Sequence, residues 1–399
     1  MSNRINLMAP EVRADPYTLY AELRKREPVC QVDPGNRWIV TRHEDVMKVL
    51  KNPQLFSATA IGKSVQPPWL GRNNPFADSM FVMDPPNHGR LRTLVSKAFG
   101  PGSIAKLEPR IRAHAQRLAA ELPLGQPVDF VESFALQLPA VVLAELMGLD
   151  VSLHSHFKRW SDHIVSMGAV APDDVALQSE MRNTVNEMER YLKEVLEDRR
   201  REPREDLVSD LLRARVDDEA LTERELLGFL YLLLVAGLET TVYLLGHSVR
   251  LLMERPDVLE RVRADFSLLP RFVDEVLRYE PPVHGALRVT MAEVELGGVH
   301  LPPGQLVLAL VGSACRDESI FPDAGTFVLD RPGPQNLPFG HGAHFCLGPH
   351  LAKLEGRLGL EALLSRCSRL SPGEAPIEWN ASLIVRGPTV LPVVLHPAG

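Results

Sequence analysis

Residues 226–255, LLGFLYLLLVAGLETTVYLLGHSVRLLMER, are apolar on nearly every side of a helix. A helix without a polar face belongs either in a bilayer or at the centre of a large hydrophobic core. Glu239 interrupts the run and Thr240 and Thr241 follow it, and an ionisable group in mid-span is costly in lipid. The run therefore predicts the central helix of a core. Glu239 itself needs an explanation, because a buried carboxylate must be paired or hydrated. Ala236 and Gly237 remove bulk one turn earlier, and the Thr240 hydroxyl can bond a carbonyl of the preceding turn and open the helix locally. Two readings stand side by side: a notch where a ligand and water reach the helix, or a bent core helix with Glu239 bonded to backbone.

The 399 residues, 45% hydrophobic and 24% charged, are enough for such a core. A net charge of −7 argues against a general nucleic-acid binder, which needs a cationic surface. Cys30, Cys315, Cys346 and Cys367 form no CxxC pair, which fits a reducing compartment better than a disulfide framework. The first residues carry no charged-then-apolar leader, so the expectation is a soluble cytoplasmic protein without a membrane anchor.

The Asp15-Pro16 pair in DPYTLYAELRKREPV is a helix start, RWIVTR reads as a strand and HEDVMKVLKN as a short helix. Residues 57–80, rich in Pro, Gly, Ser and Asn, read as a long loop of the kind used for lids or binding. From about residue 86 to 268 the pattern is helical; after Arg288 it alternates, with Gly-Gly and Pro-Gly turns, and LIVRGPTVLPVVLH is strand-like near the C-terminus. The expected class is mainly α with small β-sheets. Residues 1–399 are read as one domain, with a small β-rich lobe near 30–60, 290–330 and 380–396 and a large helical lobe.

Residues 339–348, FGHGAHFCLG, put three glycines, two histidines and a cysteine into ten positions. Leu347, Leu351, Leu354 and Leu358 follow at helical spacing, which places Cys346 at a helix N-terminus, where dipole and amides favour an anion. A metal-bound thiolate suits that position. The competing reading, a zinc site of His341, His344, Cys346 and His350, is crowded and lacks a second ligand pair.

Three separated motifs, in order along the chain, resemble the cytochrome P450 family of the soluble bacterial kind. AGLETT (residues 236–241) looks like its oxygen-activation motif, EVLR (275–278) like its ExxR helix, and FGHGAHFCLG like its haem-binding loop; PPNHGRLRTLVSKAF (85–99) resembles its helix carrying His and Arg toward a haem propionate. One departure is visible: Cys315 stands in ACRDESIF where the family often has Asn. The resemblance implies the P450 fold, with haem b between the long central helix and the cysteine-loop helix. It implies Cys346 as the iron ligand. Haem contacts would come from His88, Arg92, Ala236, Gly237, Arg288, Phe339, Gly340, His344 and Gly348. Glu275 and Arg278 would be structural, with Arg331 as their third member.

The same resemblance implies a monooxygenase that uses dioxygen and external electrons to hydroxylate or epoxidise a hydrophobic small molecule, with Glu239 and Thr240 delivering protons. Substrate contacts are expected from the 57–80 loop, Leu232, Val235, Ala236, Val283, Ala286, Ile384 and Val385, and His284 either touches substrate or faces water. A polyketide, terpenoid or peptide-derived intermediate is the first expectation. A fatty-acid or steroid hydroxylase, or a haem-thiolate protein that does not oxygenate, are the alternatives. Electrons would come from a ferredoxin and its reductase. The ferredoxin would dock on a basic face of Lys97, Lys106, Arg110, Arg112, Lys353 and Arg357.

Overall fold

The computed structural model describes residues 4–59, 61–167, 170–216, 218–332 and 337–397; the side chains of Lys63, Ser64, Lys97 and His154 lie outside the described set. Two compact units are present. One comprises Met1–Ser57, Arg110–Ala135 and Thr240–Gly399, the other Ala58–Pro109 and Leu136–Glu239.

The first unit carries the sheets. Its largest has five strands in the order Val29–Val32, Arg37–Val40, Leu306–Ala309, Ala286–Thr290, Phe56–Ser57. All neighbours are antiparallel except Arg37–Val40 with Leu306–Ala309, where Trp38, Ile39 and Val40 face Val307, Leu308 and Ala309. β-Branched residues alternate across it, and each face has its own core: Val40, Val307 and Phe56 join Val46 and Val49 on one side, while Ile39 and Leu308 meet Tyr17, Tyr20 and Leu23 on the other. The helix Pro16–Arg26 that supplies those tyrosines starts where Asp15 accepts the Tyr17 amide at 3.1 Å. The Gly297-Gly298 turn, with φ of +53° and +81°, closes the hairpin of Val294–Leu296 and Val299–Leu301. A further sheet orders Pro127–Asp129, Pro392–Pro397 and Cys367–Pro372.

In the same unit the helix Leu269–Tyr279 packs on the helix Pro349–Leu364. Glu355 on the latter is 2% exposed, and its Oε2 meets no donor among the described residues. Burial pushes its carboxyl up to about 8, against 4.5 for an ordinary glutamate. The folded chain therefore holds the acid neutral at a pH where the unfolded chain ionises it. Stability is present below the unfolded value and is lost as pH rises through the folded one. Glu355→Gln, which keeps the shape of the neutral acid, should melt about 2–4 °C higher than wild type at pH 8 and with less pH dependence above pH 5. Parallel melting curves across that range would rule out a neutral Glu355.

The second unit is helical: Asn87–Ser96, Gln137–Met147, His154–Ser166, Val175–Arg201 and Leu207–Arg213, plus the first half of the long helix Glu223–Glu254. The buried pair Arg199–Asp206 joins two of these helices, and Arg199 also donates to the carbonyl of Gly148, the left-handed cap of Gln137–Met147. Residues 57–80 hold short helical turns, Ile61–Ser64, Pro68–Leu70 and Pro75–Asp78, the last capped by Asn74. Arg182 donates to the Trp69 carbonyl at 2.7 Å and Arg72 reaches Asn186 and Glu189, so this segment is tied to Val175–Arg201.

The 32-residue helix Glu223–Glu254 is α-helical without interruption, and most of its apolar stretch is buried in protein. The α pattern continues through Thr240. Ala236 is exposed and Gly237 and Thr240 half-buried, whereas Leu234, Leu238 and Val242 are about 1% exposed. Between Leu226 and Val249 every residue other than Ala236, Gly237 and Thr240 is buried, so one open stripe lies in the middle of the helix.

Candidate active site

The cysteine loop is built from its glycines and its helix. Leu337–Phe339 and Gly342–His344 are single turns of 3-10 helix, and the Cys346 amide returns to the Phe339 carbonyl at 2.8 Å, closing the loop. Gly342 has φ of +69°, and a β-carbon there would stand 2.8 Å from the Leu50 carbonyl oxygen, so the position requires glycine. Cys346 lies three residues before the first residue of Pro349–Leu364, and the amide of Gly348, the helix cap, donates to its sulfur at 3.3 Å. That bond and the helix start favour a thiolate. The other three cysteines are buried, and burial pushes Cys30 to about 11, Cys315 to about 12 and Cys367 to about 11, which keeps them as thiols. Cys346 alone of the four is partly open. Among the described residues no group of three or more His, Cys, Asp or Glu converges as a metal cluster, so the zinc arrangement does not form.

Behind the loop stands a buried charged frame. Arg278, 0% exposed, donates to Glu275 at 2.9 and 2.7 Å, and to the carbonyls of Cys315, Ala324 and Thr326 at 3.1, 2.8 and 2.9 Å. Arg331 closes the triad on Glu275 at 3.1 and 3.2 Å. Cys315 serves this frame through its backbone oxygen, so an asparagine is not needed at that position for the bond to Arg278.

A family profile described as Cytochrome P450 matches residues 4–389. The chain belongs to the cytochrome P450 family. It is 38% identical over 389 residues to the mycinamicin IV hydroxylase/epoxidase of Micromonospora griseorubida, covering 94% of each chain. To the 6-deoxyerythronolide B hydroxylase of Saccharopolyspora erythraea it is 37% identical over 403 residues, 98% of each. The structure of cytochrome P450 CYP109Q5 from Chondromyces apiculatus superposes with a TM-score of 0.90 at 40% identity, covering 99% of this chain and 98% of that one.

P450s bind haem b through a cysteine thiolate, and the residues present fit that group. The donor set is one partly open sulfur held by an amide. A β-carbon on Gly348 would meet nothing within 4 Å, which leaves room beside the sulfur for a flat ligand. In the same unit Arg288, 7% exposed, lies on the strand Ala286–Thr290, and His344 ends the turn Gly342–His344. In the other unit His88 is 1% exposed and Arg92 half-buried, four apart on Asn87–Ser96 and so on one helix face. Arg288 and His344 within the first unit, and His88 and Arg92 within the second, are each of the kind that suits a porphyrin carboxylate.

Leu232, Val235, Ala236, Glu239 and Thr240 recur at three- and four-residue spacing and share one face of the long helix. Glu239 is 6% exposed. The structure also brings together four of the substrate-contact candidates: Val283 bridges Val385, and the amides of His284 and Gly285 donate to the Ile384 carbonyl at 2.7 and 3.1 Å. His284 does not face water. It is 4% exposed, its Nε2 is 3.1 Å from the Tyr17 hydroxyl, and it packs on the Tyr17 and Tyr20 rings. Burial and the nearby arginines hold its pKa well below the ordinary value, so the ring is neutral.

Three of the six residues expected in a basic docking face stand beside carboxylates. Arg112 bonds Glu361, which also stands 4.0 Å from Arg357, and Lys353 pairs with Asp274 at 2.7 Å. Lys106 and Arg110 are exposed, and the Lys97 side chain is outside the described set. Sequence reasoning also passed over Glu280, a buried carboxylate ringed by arginines. Its partners Arg250, Arg316 and Arg386 come from three distant parts of the chain, and no local spacing announces them.

Proposed function

We propose that this monooxygenase hydroxylates or epoxidises an apolar natural-product intermediate of the macrocyclic polyketide class, and that a small ferredoxin with its reductase supplies the electrons. The open stripe of Ala236, Gly237 and Thr240 beside buried Glu239 carries the proposal, since a carboxyl and a hydroxyl there can act as proton donors in the apolar middle of the helix. The whole-length relatives named for mycinamicin IV and 6-deoxyerythronolide B support the substrate class. When bound, the haem supplies the electron-accepting and oxygen-activating chemistry.

The residues of the chain bind, orient and move protons. Val283, Ala286, Ile384 and Val385 offer apolar contact to a macrolactone, and Leu232 and Val235 are apolar candidates of their own unit. The Thr240 hydroxyl would donate a proton, and the Glu239 carboxyl in its protonated form would return one to it, directly or through water, itself becoming the carboxylate. Thr240→Ala and Glu239→Gln should therefore keep haem binding and the spectral response to a macrolactone. The product formed per NADPH consumed should fall by roughly tenfold or more in the threonine variant as hydrogen peroxide rises, and the glutamine variant should turn over roughly a hundredfold more slowly, within the range general acid–base groups contribute. The measurement is product, peroxide and NADPH with a surrogate ferredoxin and reductase. Full coupling at full rate in both variants would leave these residues a purely structural role.

A further inference from the structure

Glu280 lies two residues beyond Arg278 and is 5% exposed. Its Oε1 accepts from Arg250 at 2.9 Å and Arg316 at 3.1 Å; its Oε2 accepts from Arg386 at 2.8 Å and from the Tyr17 hydroxyl at 3.1 Å. One carboxylate thus faces three guanidiniums. Aromatic rings absorb part of the excess, with Arg316 3.3 Å from the Tyr17 ring centre and Arg386 4.0 Å from that of Trp379. His247 and His284 border the cluster. Both are held neutral, His247 with a pKa of about 3, so they add no further charge.

Arg386 is held at every polar group it has. Its side chain bonds Glu280 and the carbonyls of Arg13 and Ala14, its amide donates to the Pro282 carbonyl at 2.8 Å, and its own carbonyl is 2.9 Å from His247 Nε2. Its chain neighbours Ile384 and Val385 are the residues that pair with segment 283–285. Glu280 therefore grips both sides of this pairing, one through the chain leading into Pro282 and the other through Arg386. A carboxylate placed this way fixes where two short, otherwise weakly paired segments stand.

We propose that Glu280 is a positioning residue: by anchoring Arg386 it sets the placement of Val283, Ile384 and Val385, and with it the orientation of bulky substrates. The proposal rests on the reading of those residues as substrate contacts. It separates binding of a large apolar molecule from access to the haem itself, which a merely stabilising role would not do.

The test uses the holoenzyme and two probes that shift the haem absorbance on binding: imidazole, which needs little beyond the iron, and clotrimazole, which must also fill an apolar pocket. In Glu280→Gln, imidazole affinity should stay within about twofold of wild type while clotrimazole affinity falls about tenfold, the scale of a modest misplacement of contacts. Arg386→Lys keeps the charge but not the planar fork, and should show the same selective loss at about threefold. This second variant carries the test if the first does not fold. Equal weakening of both probes, or unchanged clotrimazole binding in a folded variant, overturns the positioning role alone. A wild-type protein that gives no shift with imidazole would instead remove the haem-enzyme reading beneath it.

Discussion

Arg278→Ala is expected to leave little or no soluble, haem-loaded protein. The side chain is 0% exposed and meets Glu275 and three backbone carbonyls. Breaking a buried, hydrogen-bonded ion pair by removing one partner costs about 3–5 kcal/mol, because the remaining charge stays buried. Arg331 still faces Glu275, which moderates that part. The carbonyls of Cys315, Ala324 and Thr326 would add about 1–3 kcal/mol for each left without a donor. Such a sum is comparable to the whole native margin of about 5–15 kcal/mol. Lysine is a poor substitute, since one ammonium cannot match a planar fork with several acceptors. Soluble yield and the ratio of Soret to protein absorbance are the readouts. A variant that purifies with full haem content and melts with the wild type would show that this frame is dispensable.

The parts of the fold legible in the sequence are those whose cause is local. Asp15-Pro16 starts a helix because the aspartate reaches an amide two residues on, and Gly297-Gly298 makes a hairpin because both residues have positive φ. The cysteine loop was readable for the same reason: its glycines, its sulfur and its helix lie within a short stretch of chain. Glu275 and Arg278 are three apart on one helix and their pairing was legible from spacing, whereas Arg331 was readable only through resemblance, since it arrives from a separate segment.

Distance along the chain decides what stayed hidden. The strand Pro127–Asp129 interrupts a helical pattern because it pairs with Pro392–Pro397, more than two hundred residues away. The Glu280 cluster has the same origin. The ion pairs of the basic docking residues are legible to different degrees. Arg357 and Glu361 are four apart on one helix, so their proximity was visible in the sequence, whereas Arg112 reaches that same carboxylate from another helix. The helix keeps its α pattern through Thr240, and the stripe of Ala236, Gly237 and Thr240 is open where the residues on either side are buried.

The central claim is that Cys346 binds the haem iron as a thiolate. Serine at this position keeps the size and the loop. The Phe339 carbonyl would still accept the backbone amide, and Gly342 would still fit against Leu50. Cys346→Ser should therefore fold and lose product formation to background, because a hydroxyl at a helix start is not ionised near neutral pH and cannot push electron density as a thiolate does. The most direct measurement is the difference spectrum of the dithionite-reduced protein with and without carbon monoxide. Wild type should show the red-shifted Soret band of thiolate ligation, and Cys346→Ser should show only a shorter-wavelength band or none. The same red-shifted band in both proteins would contradict the assignment.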